Sequence, residues 1–143
     1  MSNTQCFAVS IHVLTLLAAN RDSLVTSEAL AESVDTNPVV IRRTMSHLRQ
    51  HGLVRSRPGT NGGWLLMKPP AHISLWEIYH AVNHDCVLSI HSHPNPECQI
   101  GGNIQESLIN VFSKAENAME TELRKFTIAD ILQDVISHTG QTG

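Results

Sequence analysis

A chain of 143 residues with 41% hydrophobic content and 4% aromatics is long enough for one domain with an aliphatic core. Its net charge of −3 excludes a uniformly basic nucleic-acid binder, and its three cysteines, Cys6, Cys86 and Cys98, exclude a fully paired disulfide framework and suit a reducing compartment. The charge is unevenly spread: residues 1–70 hold seven basic and four acidic side chains, residues 71–143 three and nine.

The apolar run FAVSIHVLTLLAA at 7–19 resembles a signal-peptide core, but no Lys or Arg precedes it and no small-x-small cleavage site is clear. It is also too short to cross a bilayer. The chain is therefore expected to be soluble and cytoplasmic, with no membrane partner. Phe7, Val9, Val13, Leu16 and Leu17 recur at roughly helical spacing, which predicts a first helix over 5–20 ended by Asn20. A second helix starts at Thr26, a good N-cap, with Glu28 in its first turn where the helix dipole favours an anion. It runs to about Val34.

Asp35-Thr36-Asn37 forms a short polar link, and Asn37 caps a third helix that opens on Pro38. Proline suits that position because its missing N–H would be unpaired there anyway. This helix is expected to reach His51, with Gly52 as a left-handed stop. Helix, three-residue turn and helix is the helix-turn-helix spacing. Two short strands follow, Leu53–Arg57 and Trp64–Lys68, joined by the turn formers of 58–63. Pro69-Pro70 stops the second strand. Ser74-x-x-Glu77 has the form of a capping box and predicts a fourth helix over about 74–83.

Residues 84–102 (HDCVLSIHSHPNPECQIGG) are rich in His, Cys, Pro and Gly and read as an irregular segment. A loop of that length tends to mean function or disorder. From 103 to about 125 the helical pattern returns, with Ile104, Leu108, Val111 or Phe112, Ala115, Met119 and Leu123 on one stripe. At 1.5 Å per residue this helix is roughly 33 Å long. That is longer than a small domain needs, so its stripe is expected to bury against a copy of itself. Thr127-x-x-Asp130 opens one last short helix, whose tail frays after His138. The fold class is therefore mainly α with a small β-hairpin. The expected organisation is a winged helix-turn-helix domain over 1–83, a sensor-type loop over 84–102, and a dimerisation helix with a C-terminal helix over 103–143.

Three helices followed by a hairpin make a winged helix. Trp64, Leu65, Leu66 and Met67 would anchor the hairpin, while its tip projects. No Asp or Glu occurs between Thr36 and Trp76, yet Arg42, Arg43, Arg49, Arg55, Arg57 and Lys68 all fall there. Such a local excess of one sign is the footprint of a phosphate-binding face. With Ile41 at the centre of the third helix's buried face, Met45 and Leu48 lie beside it. Val39, Arg43, Ser46 and Gln50 fall on the opposite arc, flanked by Arg42 and His47. Arg42, Arg55, Arg57 and Lys68 are assigned to phosphates, and Val39, Arg43 and Ser46 to base edges. Asn37, His47, Gln50, Thr60 and Asn61 complete the expected DNA-binding set. No catalytic site is expected. The chain has no Walker-type lysine loop, serine nucleophile elbow or CxxC, and near the Cys/His segment only Asp85 and Glu97 could serve as a base. A winged-helix protein-interaction module, the rival from another class, would need an apolar patch in place of Arg43, Ser46 and Gln50.

GLVRSRPGTNGGWLLMKPP followed by ISLWEIYHAV resembles the wing and following helix of the Rrf2 family of bacterial transcription regulators. FAVSIHVLTLLA, PVVIRRTMSHLRQHGLV and the long helix from Asn103 fit the same family, so the resemblance covers about residues 5–125. It implies a regulator, most often a repressor, that binds a two-fold site on double-stranded DNA as a homodimer joined through helix 103–125. Many members sense iron–sulfur clusters, nitric oxide, redox state or a metabolite. Cluster-binding members carry three cysteines in the loop before the long helix. Here the loop has two, Cys86 and Cys98, and Cys6 is far off in sequence.

Several readings of the loop stand together. His84, Cys86, His91, His93 and Cys98 include enough donors for zinc, but without the tight pair spacing of a zinc finger. An iron–sulfur cluster would need a ligand from elsewhere, such as His12 of a partner subunit. A thiol switch at Cys86 and Cys98, with His91 and His93 nearby, needs only one accessible cysteine of lowered pKa and a second to trap it. A small-molecule signal, or no signal, leaves both cysteines inert. The expectation is no bound metal or cofactor.

Overall fold

The structure, a computed structural model, describes residues 3–82 and 94–141, with side chains from Cys6 to Val82 and from Pro94 to Gly140. In chain order it contains α1 (Asn3–Ala19), α2 (Ser27–Val34), α3 (Pro38–Gln50), β1 (Val54–Arg57), β2 (Gly63–Leu66), a 3-10 turn (Pro70–His72), α4 (Leu75–Val82), α5 (Ile104–Leu123) and α6 (Ile128–Gln141). The mainly helical class with one small hairpin is as expected.

Helix α1 is apolar around much of its circumference because it is the central element. Val13, Leu14 and Leu17 are buried, Phe7, Val9, Ile11 and Leu16 pack against the same core, and α2, α3, α4, α6 and β2 all lie against it. A helix apolar on more than one face must be covered on more than one face. Local signals set the next elements. The Thr26 hydroxyl accepts the Ala29 N–H at 3.1 Å and opens α2. Asp35 ends that helix in the left-handed region, at φ 63°. The Asn37 side-chain oxygen Oδ1 then accepts the Val39 N–H at 2.8 Å, with Pro38 in the first position of α3. Gly52, at φ 74°, lets the chain turn out of α3 towards the hairpin.

Ile41, Met45 and Leu48 are fully buried, so the inner arc of α3 is the expected one, and Thr44 joins it. Fully burying each such side chain stabilises the fold by about 1.5–3 kcal/mol. The hairpin is shorter than the sequence suggests. β1 pairs with β2 from Val54 opposite Leu66 to Arg57 opposite Gly63, so Lys68 lies beyond the paired region. Met67 donates its N–H to the Leu53 carbonyl but leaves its side chain 53% exposed, so it does not anchor the wing.

Two connections join segments far apart in sequence. Val25 and Trp64 exchange both backbone hydrogen bonds, at 3.2 and 2.8 Å, so the loop before α2 borders the hairpin as a third extended edge. Ser74 and Thr127 form a second isolated bridge, flanked by Leu75 N–H to Phe126 O and Ile128 N–H to Ile73 O, both 3.0 Å. That bridge brings α6 back onto α1 and the 3-10 turn, and Ile128 enters the core fully buried. The chain after 103 is thus split between two settings. α5 extends beside α4 with none of its residues buried, while α6 belongs to the N-terminal body. Helix α6 also continues to Gln141, past the fraying expected after His138.

Candidate nucleic-acid interface

Helix α3 and the hairpin form one continuous feature because Trp64 ties them together. Its backbone is bonded to Val25, and its indole N–H donates to the Ser27 hydroxyl on α2 at 3.0 Å. The Arg49 guanidinium of α3 lies 5.9 Å from the centre of its ring, within reach of a cation–π attraction. Gly63 makes this seating possible. A Cβ there would lie 2.8 Å from the Val25 carbonyl oxygen, closer than any side chain tolerates. The glycines of the wing therefore serve close backbone packing within the protein, as well as a projecting turn.

On the outer face of α3, Val39 is 57% exposed, Arg43 and Gln50 are exposed and Ser46 is half-buried. His47 is half-buried, and its carbonyl bonds the His51 ring. On β1 the side chains alternate, so that Val54 faces the core while Arg55 and Arg57 stand together on the other face, both exposed. At the tip Thr60 and Asn61 are exposed, and Asn61 takes the left-handed conformation at φ 63°. Among the described residues, Arg43, Arg55 and Arg57 have no ion pair, whereas two other cations assigned to phosphates do. Arg42 bonds Glu28 at 3.0 Å with both side chains exposed, a pair worth at most about 1 kcal/mol, so phosphate can compete for it. Lys68 bonds Glu77 at 2.6 Å with both groups more than half covered, which cancels its charge towards the outside. Glu77 consequently does not reach back across its own capping box, although Ser74 still accepts the Glu77 N–H.

Sequence reasoning assigned no role to Val25 or Ser27, read Glu28 only as a charge favoured by the helix dipole, and counted Arg49 only in the local basic excess. The signal for Ser27 and Arg49 was Trp64 itself, one of two tryptophans in a chain poor in aromatics. Its indole N–H needs an acceptor and its ring face attracts a cation.

Of the sensor candidates, Cys86, His91 and His93 lie outside the described residues, as does His84. Cys98 is exposed in the turn that leads into α5. Its N–H donates to the Asn95 carbonyl, and its own carbonyl accepts the Gly102 N–H at 2.8 Å. The backbone N–H groups of Gly101 and then Ile100 hold its thiol below the ordinary cysteine range. Cys6 is half-buried near the start of α1, and His12 bonds the Ser33 hydroxyl at 2.9 Å. Among the described residues no three His, Cys, Asp or Glu side chains converge on a point that could hold a metal ion, and none of the helices is long and apolar enough to cross a membrane.

A family model described as Rrf2, an iron-dependent transcriptional regulator, matches residues 3–134. The described donor set of this chain does not by itself form an iron site. YwnA of Bacillus subtilis (strain 168), named as a candidate HTH-type transcriptional regulator, is 41% identical over 126 residues, which is 87% of this chain and 92% of YwnA. A crystal structure of a candidate transcriptional regulator from Lactobacillus plantarum superposes with a TM-score of 0.78 at 30% identity, covering 96% of this chain and 98% of the other. Another, of a candidate DNA-binding protein, has a TM-score of 0.71 at 38% identity over 89% and 98% of the two chains. With an outer arc on α3 and, beside it, wing arginines that have no ion pair among the described residues, the chain is a DNA-binding transcriptional regulator and belongs to the Rrf2 family.

Proposed function

We propose that the protein acts as a homodimer, paired through α5, which represses transcription in the cytoplasm from a two-fold operator and responds to oxidation at Cys98. The carrying observation is the state of α5. None of its 20 residues is buried in the single chain; Ile109 and Val111 are 50% and 59% exposed, and Leu108 and Phe112 are only partly covered. An apolar stripe of that length is stable in water only when covered, and a second copy laid antiparallel covers both stripes at once. Pairing also sets two α3 helices and two wings against one duplex, which is what a two-fold DNA site requires.

Cys98 stands where a chemical change would reach that pairing. The turn holding it runs directly into α5, with Ile104 N–H bonded to the Ile100 carbonyl at 2.9 Å. Its thiol is exposed and more acidic than usual, the combination that favours oxidation. Cys86 is the proposed second thiol of the switch.

Phosphate affinity is assigned to Arg55 and Arg57, with Arg42 released from Glu28 on binding, and base contacts to Val39, Arg43 and Ser46. An exposed arc that is polar apart from Val39 does not suit a protein-interaction module. The test is sedimentation of the full chain together with duplex binding before and after peroxide treatment. A dimer whose DNA affinity changes on oxidation, with the change lost in Cys98→Ser, supports the proposal. A monomer, or a response that survives Cys98→Ser, overturns the corresponding part.

A further inference from the structure

The outer face of α3 carries a more specific message, which rests on the DNA-reading role given above. We propose that Val39 reads the methyl group of a thymine and Arg43 reads a guanine one or two base pairs away, so that each half-site is defined chiefly by this pair.

Val39 is 57% exposed at the second position of α3 and does not pack on the core, whereas Ile41 two residues on is fully buried. A β-branched residue is a poor helix former. In a helix, however, it is held in nearly one rotamer, so it presents two methyl groups at a fixed position. Asn37 strengthens this by bonding the Val39 N–H at 2.8 Å, which pins the first turn of the helix. In the major groove the C5-methyl of thymine is the apolar feature that such a knob can recognise.

Arg43 lies four residues further on, and so on the same face of the helix. The other arginines of α3 are engaged: Arg42 with Glu28 and Arg49 with the Trp64 ring. Among the described residues Arg43 has no ion pair or ring contact, and it is exposed. Guanine N7 and O6 are the acceptors that a guanidinium meets with two bonds. Residues one turn apart are separated by about 6 Å along the helix, and base pairs by roughly 3.4 Å. The two contacts therefore fall on neighbouring or next-neighbouring base pairs.

The test begins by selecting duplexes from a randomised pool with the full-length wild-type protein. In the selected duplex, thymine is then replaced by uracil, which removes only the methyl. Guanine is replaced separately by 7-deazaguanine, which removes only the N7 acceptor. The expected result is a selected half-site containing thymine and guanine one or two positions apart. Wild-type affinity should fall roughly threefold or more on the first replacement and roughly fivefold or more on the second. Val39→Ser should be insensitive to the uracil replacement and Arg43→Ala to the 7-deazaguanine one. Both side chains are exposed, and the replacements in the DNA test the assignment with the wild-type protein alone. A selected duplex to which the wild type binds equally well after either replacement overturns this assignment while leaving DNA reading intact. A pool from which no sequence is enriched overturns both.

Discussion

The indole N–H of Trp64 donates to the Ser27 hydroxyl at 3.0 Å, joining the wing to the first helix of the helix-turn-helix across 37 positions of sequence. With Arg49 over the same ring, the bond fixes the wing relative to α3. Ser27→Ala leaves the half-buried indole N–H without its partner and should cost about 1–3 kcal/mol of stability. DNA affinity should fall at a temperature where the variant remains folded, because Arg55 and Arg57 lose their fixed position. Denaturant unfolding and duplex titration check the two parts separately. A variant that loses neither stability nor affinity would show that the bond does not position the wing.

The arginines should separate by what they contact. Arg57→Ala should weaken binding to all sequences alike and lower the slope of log affinity against log salt by about one for each wing that loses a phosphate contact. Arg43→Ala should instead narrow the gap between matched and mismatched sites by about 1–3 kcal/mol. Titrations at several salt concentrations distinguish these outcomes. Lys68→Ala should change DNA affinity less than Arg57→Ala, since Glu77 already neutralises Lys68.

Local signals were legible in the sequence wherever one residue acts on its near neighbours. The caps at Thr26 and Asn37, proline at the first position of α3 and the stop at Gly52 all fall where residue chemistry put them. The inner arc of α3 was readable because Ile41, Met45 and Leu48 obey one period. Contacts between distant segments were not readable. Nothing near Val25 announces that it will border the hairpin, and nothing near Glu77 shows that its carboxylate will leave the capping box for Lys68. At Thr127 and Asp130, by contrast, the capping box closes in both directions. The outward position of the DNA-facing arc was legible, and the pairing of Arg42 with Glu28 and of Lys68 with Glu77 was not, because ion pairs depend on tertiary placement.

Helix α6 is part of the DNA-binding body through Ile128, which is fully buried. Ile128→Ala should cost about 2–5 kcal/mol, the range for large-to-small changes in a packed core. Ile136→Ala, on an exposed part of the same helix, should cost less than about 1 kcal/mol. Chemical denaturation of both variants measures the difference. Equal effects would remove α6 from the core.

Cys98 should react as a thiolate at lower pH than a free cysteine does. The N–H groups of Gly101 and Ile100 favour its charged form, so the alkylation rate rises with pH and reaches half its plateau below the midpoint for an unstructured cysteine peptide. Mass-resolved alkylation across the pH range gives that midpoint for Cys98 alone. A midpoint at or above the peptide's would contradict the account of the turn.

In the proposed dimer the subunits pair through α5. Val111→Asp places a charge on its exposed apolar surface and should shift the dimer towards monomer by at least tenfold in dissociation constant, with a parallel loss of affinity for a two-fold site. Sedimentation at graded concentrations reads the first effect, and titration with whole and half sites reads the second. Unchanged association would place the interface elsewhere.

The most direct measurement of DNA reading is selection from a fully randomised duplex pool at moderate salt, carried out with the wild type and with Arg43→Ala. The wild type should enrich one inverted repeat, and the variant should lose preference at a single position in each half. Retention of every duplex with equal strength, or of none, would contradict the assignment of α3 and its wing as a sequence-reading surface.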